Sequence, residues 1–310
     1  MIRNKKGQLQ ISFAWIFAIV IGAVILFLAI YISTKVVKTG ETAVGAKTGK
    51  EISVLLNPLE TGTEESVVVS LNMPVETRIY NQCSNSSNFG KQIIKISQKS
   101  FNKWTETDVE STFSNKYIFS SGVEEGKNFL IFAKPFEFPF KTSDLIYLTS
   151  RDKKYCFVEN SLPTRIKEEL SDLNQENIFV EDGGCPQDSI RVCFGGSGCD
   201  INIDELQKSV KKGSQSVYYE TDALMYAAIF SDKNVYECQV KRLMKRTEQL
   251  SILYDEKKTL LSRQGCSDTI NLQSLAFSAN FLASSSNLVS VASKAEEVDA
   301  QNNLATCKLW

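Results

Sequence analysis

The longest uninterrupted apolar stretch of the chain lies near its N-terminus. From Phe13 to Ile32 there is no charged or amide side chain. A helix of about 20 residues rises about 30 Å, which matches the hydrocarbon thickness of a bilayer. The pattern therefore predicts a membrane-spanning helix, so that residues 1–32 comprise a short cytoplasmic segment and the span.

The pattern that follows predicts a stalk and then a β-rich ectodomain. Residues 33–62 carry a loose apolar stripe that predicts a helical stalk, and three glycines leave a flexible stalk as the alternative. Residues 63–220 change to short β-branched and aromatic runs separated by turn residues, which is typical of an antiparallel sheet or sandwich. One short helix, at 161–173, interrupts them. The predicted strands are 67–71, 76–80, 92–96, 116–119, 128–132, 144–148, 178–180, 190–194 and 200–203.

Helical periodicity dominates residues 221–310. Apolar residues recur every three or four positions from 221 to 263, with Thr221 as a candidate N-cap and a second start or kink near Ser231. Another helix is predicted over 268–300, so the two should form an antiparallel hairpin. The predicted fold class is α+β, with an N-terminal transmembrane helix, a β-rich ectodomain and a C-terminal antiparallel helical hairpin.

Charge orients the predicted span. The first 40 residues hold five of the 35 basic side chains and no acidic one, which leaves 30 basic against 36 acidic residues in the remainder. Arg3, Lys5 and Lys6 precede the span, whereas Lys35 and Lys38 follow it. This excess of positive charge before the span favours a cytoplasmic N-terminus and an extracellular C-terminal domain at the cell membrane. A mildly acidic body argues against nucleic acid as a partner, and the lipid bilayer is the partner that the span requires.

The chain contains no histidine. This excludes Ser-His-Asp and Cys-His catalytic units and every metal site that needs an imidazole ligand. Acid–base chemistry would fall to carboxylates, lysines or tyrosines, and no pair of these is distinguished by its spacing. We therefore predict no catalytic residue, no cofactor and no metal site, and expect a protein that is not an enzyme.

All eight cysteines follow the apolar run. An even set of cysteines on one side of a membrane anchor is typical of a disulfide framework in an oxidising compartment. The alternative is a set of buried, unreactive thiols on the cytosolic side.

One local cysteine pair flanks a glycine-rich turn. Cys193 and Cys199 lie on either side of Gly195–Gly198, which is predicted to connect two strands as a β-hairpin. We predict a Cys193–Cys199 disulfide that clamps this hairpin. The alternative is a thiolate metal site that includes Cys185, although the spacing is unlike that of structural zinc.

The predicted helical hairpin constrains three further cysteines. Cys238 and Cys266 would lie about 40 Å apart along the first helix. A disulfide needs Cα atoms within about 7 Å, so these two should not pair. Cys307 follows the returning helix, and we therefore predict a Cys238–Cys307 disulfide, with Cys266 paired elsewhere.

A basic cluster lies on the first of the two predicted helices. Its members are Lys241, Arg242, Lys245 and Arg246. It is either a solvated helix face balanced by nearby acidic residues or a surface for anionic lipids and polymers.

Two patterns in the β-rich part also have more than one interpretation. The alternating Phe132, Phe136, Phe138 and Phe140 are either core side chains or an exposed aromatic edge that binds a partner or glycan. Asn85 begins an Asn-Ser-Ser sequon for N-glycosylation, which fits an external location.

The motif Lys5-Lys6-Gly7-Gln8, shortly before the apolar helix, resembles the class III signal of archaeal type IV pilin-like proteins. The resemblance implies cleavage near Gly7 and Gln8 by a prepilin-type peptidase on the cytoplasmic side, which leaves the helix attached. Pilins usually carry a glutamate at the fifth mature position, which takes part in filament assembly. Here that position is Ser12, so the resemblance implies anchoring without implying a filament.

Segments 222–232 and 236–246 resemble an uncharacterised family of membrane-anchored archaeal surface proteins. That resemblance implies no activity. It extends the expectation of a membrane-anchored surface protein to the last part of the chain.

These observations support two hypotheses about function. The first is a single-pass, pilin-like surface protein with a structural or adhesive, binding role, whose partners are other surface proteins or glycans. The second is a membrane-tethered enzyme or accessory factor that acts on envelope polymers through carboxylates. Two acidic residues in one cleft, one of them with a raised pKa, would favour the second hypothesis.

Overall fold

The computed structural model describes residues 13–56, 67–86, 89–100, 102–105, 110–158, 162–180, 184–196, 198–266 and 269–310, and between 36 and 56 it describes the backbone alone. The predicted processing position at Gly7 and Gln8 lies outside the described residues, as does Ser12.

One continuous helix, α1 (Phe13–Leu56), contains the predicted span and most of the predicted stalk. The segment Phe13–Lys35 has a mean hydropathy of 2.9 and no buried residue in its apolar window, so by length and composition it can cross a membrane. The helix then continues through all three stalk glycines to Leu56. Positions 57–62 of the predicted stalk lie outside the described residues.

The first sheet has seven strands in the order β3-β2-β1-β6-β7-β5, with β4 paired to β2. Its pairs are antiparallel except for β5 and β7, which are parallel. The long β1 covers two predicted strands, and its register shifts between Asn72 and Thr77, beside Pro74, which has no N–H to donate. The strands are β1 (Val67–Ser84), β2 (Lys91–Ser100), β3 (Lys103–Trp104), β4 (Glu110–Phe113), β5 (Tyr117–Phe119), β6 (Val123–Glu137) and β7 (Lys141–Ser150).

The second sheet has six short strands in the order β13-β12-β11-β10-β8-β9. Helix α2 (Thr164–Leu173) connects β8 to β9, and β9, β8, β10 and β11 run parallel. Only β11, β12 and β13 follow the antiparallel prediction. The strands are β8 (Tyr155–Phe157), β9 (Ile178–Val180), β10 (Ile190–Phe194), β11 (Ile201–Asp204), β12 (Ser209–Lys212) and β13 (Gln215–Tyr218).

The predicted hairpin between β10 and β11 is wrong. These strands are parallel, with Val192 opposite Ile201 and Phe194 opposite Ile203. The connection reverses the chain direction twice, with positive φ angles at Gly195 (66°) and Gly198 (106°). Glycine adopts such angles without steric cost.

The C-terminal part contains four α-helices in place of the predicted two-helix hairpin. They are α3 (Asp222–Phe230), α4 (Lys233–Ser262), α5 (Leu272–Asn280) and α6 (Leu288–Leu304). Thr221 caps α3 by accepting a hydrogen bond from the backbone N–H of Leu224, and the break near Ser231 is where it was predicted. The predicted return helix is instead divided into α5, a short 3₁₀ turn and α6.

Ser285 accounts for this division. Its backbone N–H and its hydroxyl donate to the two carboxylate oxygens of Glu237 on α4, at 2.8 and 2.6 Å. The same hydroxyl accepts from the backbone N–H of Tyr218 on β13. Because these bonds tie the buried Ser285 to two neighbouring elements, the chain leaves α5 and turns before α6 begins.

The main hydrophobic core is shared by one face of the first sheet, the inner face of the second sheet and helices α2 to α6. Helix α3 has eight buried residues out of nine, and it contacts strands of both sheets. Phe132, Phe136, Phe138 and Phe140 are all buried in this core, which confirms the core interpretation. Residues 221–310 therefore share a core with 63–220.

All eight cysteines are paired, with Cα–Cα distances between 5.7 and 6.0 Å. Cys193 and Cys199 form the predicted disulfide, although it closes a parallel connection. The predicted Cys238–Cys307 pair is wrong, because α5 and α6 run in succession and return the C-terminus to the end of α4. The four pairs are Cys83–Cys238, Cys156–Cys185, Cys193–Cys199 and Cys266–Cys307.

We predict that the double variant Cys83→Ser/Cys238→Ser loses more stability than Cys193→Ser/Cys199→Ser. The first disulfide closes 155 residues and the second closes 6, and a longer loop restricts the unfolded chain more strongly. The expected difference in the free energy of unfolding is about 2–3 kcal/mol, measured by denaturant titration. Equal losses in the two variants would contradict this account.

Candidate functional site

A cleft lies on the outer face of the second sheet. It has a volume of about 980 Å³. Because side chains alternate along a strand, the burial of Ile203, Val210 and Val217 against the core directs their neighbours outward. The strand side chains that line the cleft are Asn202, Asp204, Ser209, Lys211, Ser216 and Tyr218.

Strand register arranges these outward side chains in two rows. Asn202 lies opposite Lys211, which lies opposite Ser216. Asp204 lies opposite Ser209, which lies opposite Tyr218 in the same way. Neighbouring strands are about 4.8 Å apart, so the rows form one polar patch.

The β10–β11 connection forms one wall of the cleft. Its backbone is held by the Cys193–Cys199 disulfide and by the amide of Asn202. That amide donates to the carbonyl of Cys199 at 2.8 Å and accepts from its N–H at 3.4 Å. The wall is therefore preformed, and the disulfide that the sequence predicted serves to shape it.

The β11–β12 turn forms the opposite wall. One carboxylate oxygen of Asp204 accepts from the N–H groups of Leu206 and Gln207, at 3.0 and 2.9 Å. This arrangement holds the turn and leaves the side chain of Leu206 98% exposed at its tip. The neighbouring Glu205 forms an ion pair with Arg165.

Adjacent lysines on β12 point to opposite faces of the sheet. Lys211 is exposed in the cleft, whereas the ammonium of Lys212 donates to the carbonyls of Ile229 and Ser231, where α3 ends, at 2.7 Å each. Burial lowers the pKa of Lys212 to about 7, with a smaller lowering by Lys153 that Asp232 opposes. The cleft therefore contains one of the two lysines, and the protein interior holds the other.

A second, smaller cavity of about 210 Å³ is acidic. Glu220 on its wall is paired with Lys208, and Asp299 accepts from the indole N–H of Trp310. No group of three ligands that could hold a metal ion occurs among the described residues. The four carboxylates that line the smaller cavity are Glu137, Glu220, Glu296 and Asp299.

The basic cluster is divided between the interior and the surface. Arg242 is completely buried. For this residue, both predicted interpretations, a solvated helix face and an anion-binding surface, are therefore wrong. Its guanidinium donates to the carbonyls of Phe89, Ser114 and Lys116 and lies 4.7 Å from the ring of Tyr117. Burial lowers its pKa to about 10. Arg242 is therefore a structural residue.

A glycine makes room for this arginine. Gly90 has a φ of 60°, and a Cβ there would lie 2.4 Å from the carbonyl oxygen of Ser84 and 2.8 Å from Cγ of Arg242. Arg242 lies seven residues after the buried Val235, on the apolar side of α4. That spacing is the sequence signal that could have indicated its burial.

The remaining predicted site residues lie apart from the cleft. Cys238 is bonded to Cys83 near the end of β1, and Asn85 lies just beyond it with an exposed side chain. Cys185 is bonded to Cys156, which leaves no free thiolate for the alternative metal site. Sequence reasoning missed the cleft because strands β12 and β13 were not predicted.

Comparisons with protein-family models, curated proteins and solved structures give no match to this chain.

We predict that Arg242→Ala lowers the free energy of unfolding by at least about 3 kcal/mol. The substitution leaves several buried carbonyls without a donor, at about 1–3 kcal/mol each, and opens a cavity. Lys241→Ala, at the neighbouring and partly exposed position, should change stability by less than about 0.5 kcal/mol. Denaturant titration measures both, and similar losses in the two variants would contradict a structural role for Arg242.

We also predict a pH effect from Lys212. Its folded pKa of about 7 lies below the unfolded value, so the unfolded chain binds more protons between about pH 7 and 10. Its contribution therefore makes the folded state more stable as pH rises through this range. Lys212→Met should remove that contribution and Lys211→Met should not, when unfolding is measured at both ends of the range. Equal pH slopes for the wild type and Lys212→Met would contradict the prediction.

Proposed function

We propose that this chain is a single-pass, pilin-like membrane protein whose body lies outside the cytoplasm and has a structural or adhesive, binding role. One observation carries the proposal. An exposed helix that is apolar enough to cross a membrane precedes a body with four disulfides and no free cysteine. An N-terminal apolar helix fits a membrane anchor, and four disulfides fit an extracellular protein.

Charge and connectivity support the proposed orientation. Arg3, Lys5 and Lys6 precede the span, which favours a cytoplasmic N-terminus. The Cys83–Cys238 disulfide joins positions 155 residues apart, and such bonds persist in oxidising compartments. The exposed Asn85 beside this disulfide would then be available for glycosylation.

Processing before Gln8 is part of the proposal. The motif at Lys5 to Gln8 supports it through its resemblance to class III signals, and the uninterrupted helix α1 would keep the processed chain anchored. Ser12 argues for a monomeric or minor surface component over a polymerising pilin.

The cleft supports a binding role. It presents hydroxyl groups, one lysine and one aromatic ring on a preformed sheet face. The proposed partners are therefore glycans or other surface proteins outside the cell.

The acidic cavity supports the alternative function, a membrane-tethered enzyme or accessory factor that acts on envelope polymers. Four carboxylates line one cavity with Phe138 and Pro139 on its apolar side. Hydrolysis of an envelope polymer that is lost in the double variant Glu296→Gln/Asp299→Asn, with the fold intact, would establish this alternative.

We expect the protein recovered from native membranes to begin at Gln8, as measured by intact mass and N-terminal analysis. Protease added to intact cells should remove the body and leave the span. A Gly7→Leu variant should keep its first seven residues yet stay membrane-bound, because the helix itself anchors the chain. An intact Met1 in the wild type would contradict processing, and a body protected in intact cells would contradict the orientation.

A further inference from the structure

We propose that the cleft on the second sheet binds an uncharged oligosaccharide, with the Tyr218 ring against a sugar face and Ser209, Lys211 and Ser216 on its hydroxyl groups. The inference deepens the proposed function and rests on it, because envelope glycans occur outside the cytoplasm. It names the ligand class of the binding role.

The polar groups of the cleft are available to a ligand. Among the described residues, the side chains of Ser209, Lys211, Ser216 and Tyr218 have no hydrogen-bond or ion-pair partner in the protein. Neighbouring cations are occupied, since Lys208 pairs with Glu220 and Lys212 is bound to carbonyls. The four unpaired side chains all lie on the face that lines the cleft.

These groups match the hydrogen-bonding needs of a sugar. A sugar hydroxyl both donates and accepts, so it suits serine and tyrosine hydroxyls that do the same and a lysine ammonium that donates three bonds. The strand register places Ser209 beside Tyr218 and Lys211 beside Ser216. With strands about 4.8 Å apart and outward residues two positions apart, the four groups fall within a patch about 10 Å across.

Tyr218 supplies the apolar surface that one face of a sugar ring requires. Its side chain is 38% exposed, although its backbone is fixed. The N–H of Tyr218 donates to Ser285, and its carbonyl accepts from the hydroxyl of Tyr236 at 2.6 Å. A ring with an apolar body and a polar tip on a fixed backbone suits an amphipathic ligand.

Two other ligand classes fit less well. An extended peptide is usually held by the free edge of a sheet, yet the cleft lies on a sheet face and Ser285 occupies the N–H of Tyr218 at the edge strand. A polyanion needs a positive field, and the Lys211 charge is opposed by Asp204 and Glu205 in the same lining. An uncharged polyhydroxylated ligand needs neither a free sheet edge nor a positive field.

The cleft is also rigid and of suitable size. The Cys193–Cys199 disulfide, the Asn202 amide and the Asp204 carboxylate hold both walls through bonds within the protein, which reduces the entropy lost on binding. A volume of about 980 Å³ lies near the upper end of the range for small-molecule sites. It therefore favours a short oligosaccharide over a single sugar.

The test is a calorimetric titration of the full-length protein in nanodiscs with four neutral tetrasaccharides: cellotetraose, chitotetraose, maltotetraose and mannotetraose. We expect saturable binding of at least one of them. Lys211→Met and Tyr218→Ala should each weaken that binding about tenfold. Lys127→Met, an exposed lysine on the first sheet, is the matched control and should bind like the wild type.

Hydrogen exchange of the same samples tests whether each variant is correctly folded. We expect ligand-dependent protection at 209–218 in the wild type and unchanged protection elsewhere in all variants. The proposal is overturned if no tetrasaccharide binds at about 10 mM, if a charged tetragalacturonate or a peptide competes for the same strands more tightly, or if the cleft variants bind like the wild type. A cytoplasmic body would contradict the proposed orientation without changing this titration.

Discussion

The fold depends on a cation buried between the first sheet and helix α4. The guanidinium of Arg242 is removed from water and donates only to neutral acceptors, including the carbonyls of Ser114 and Lys116 and the side chain of Gln239. Burying a charge is costly unless it is fully hydrogen-bonded. The chain must therefore bring several backbone segments to one point before this arginine can be accommodated.

The surrounding residues meet that requirement together. Gln239 also donates to the carbonyl of Ile118, which accepts a further bond from Asn81 on β1. The Cys83–Cys238 disulfide joins β1 to α4 covalently. A polar network of this kind specifies one alignment of sheet and helix, because a shifted helix would leave buried donors and acceptors unpaired. Helix α3 and the second sheet pack on the core that α4 and the first sheet share.

In the second sheet, one strand contributes both to the core and to the proposed binding cleft. Lys211 and Lys212 are neighbours of the same residue type, yet pleating sends one to the cleft and the other to the end of α3. A lysine near a helix C-terminus interacts favourably with the last carbonyls, so Lys212 anchors the sheet to the core. The polar side chains on the cleft face make no such contact with the core, and they are the groups of the proposed binding site.

The sequence alone determined the apolar span, the α+β class and the disulfide-bonded character of the body, because each follows from composition or local periodicity. It also determined the Thr221 cap and the Cys193–Cys199 pair, which depend on neighbours along the chain. Strands such as β12 and β13 escaped prediction because they are four residues long and carry few apolar side chains.

Only the tertiary structure decided which distant residues meet. The parallel pairing of β8 with β10, the pairing of Cys238 with Cys83 and the division of the last helix at Ser285 all arise from contacts between segments far apart in the chain. The same is true of Arg242. Its charge alone predicts a surface position, but carbonyls from distant segments accept its hydrogen bonds and allow it to be buried. The local sequence pattern indicates which secondary structure a residue favours, whereas its burial and its partners depend on which distant segments pack against it.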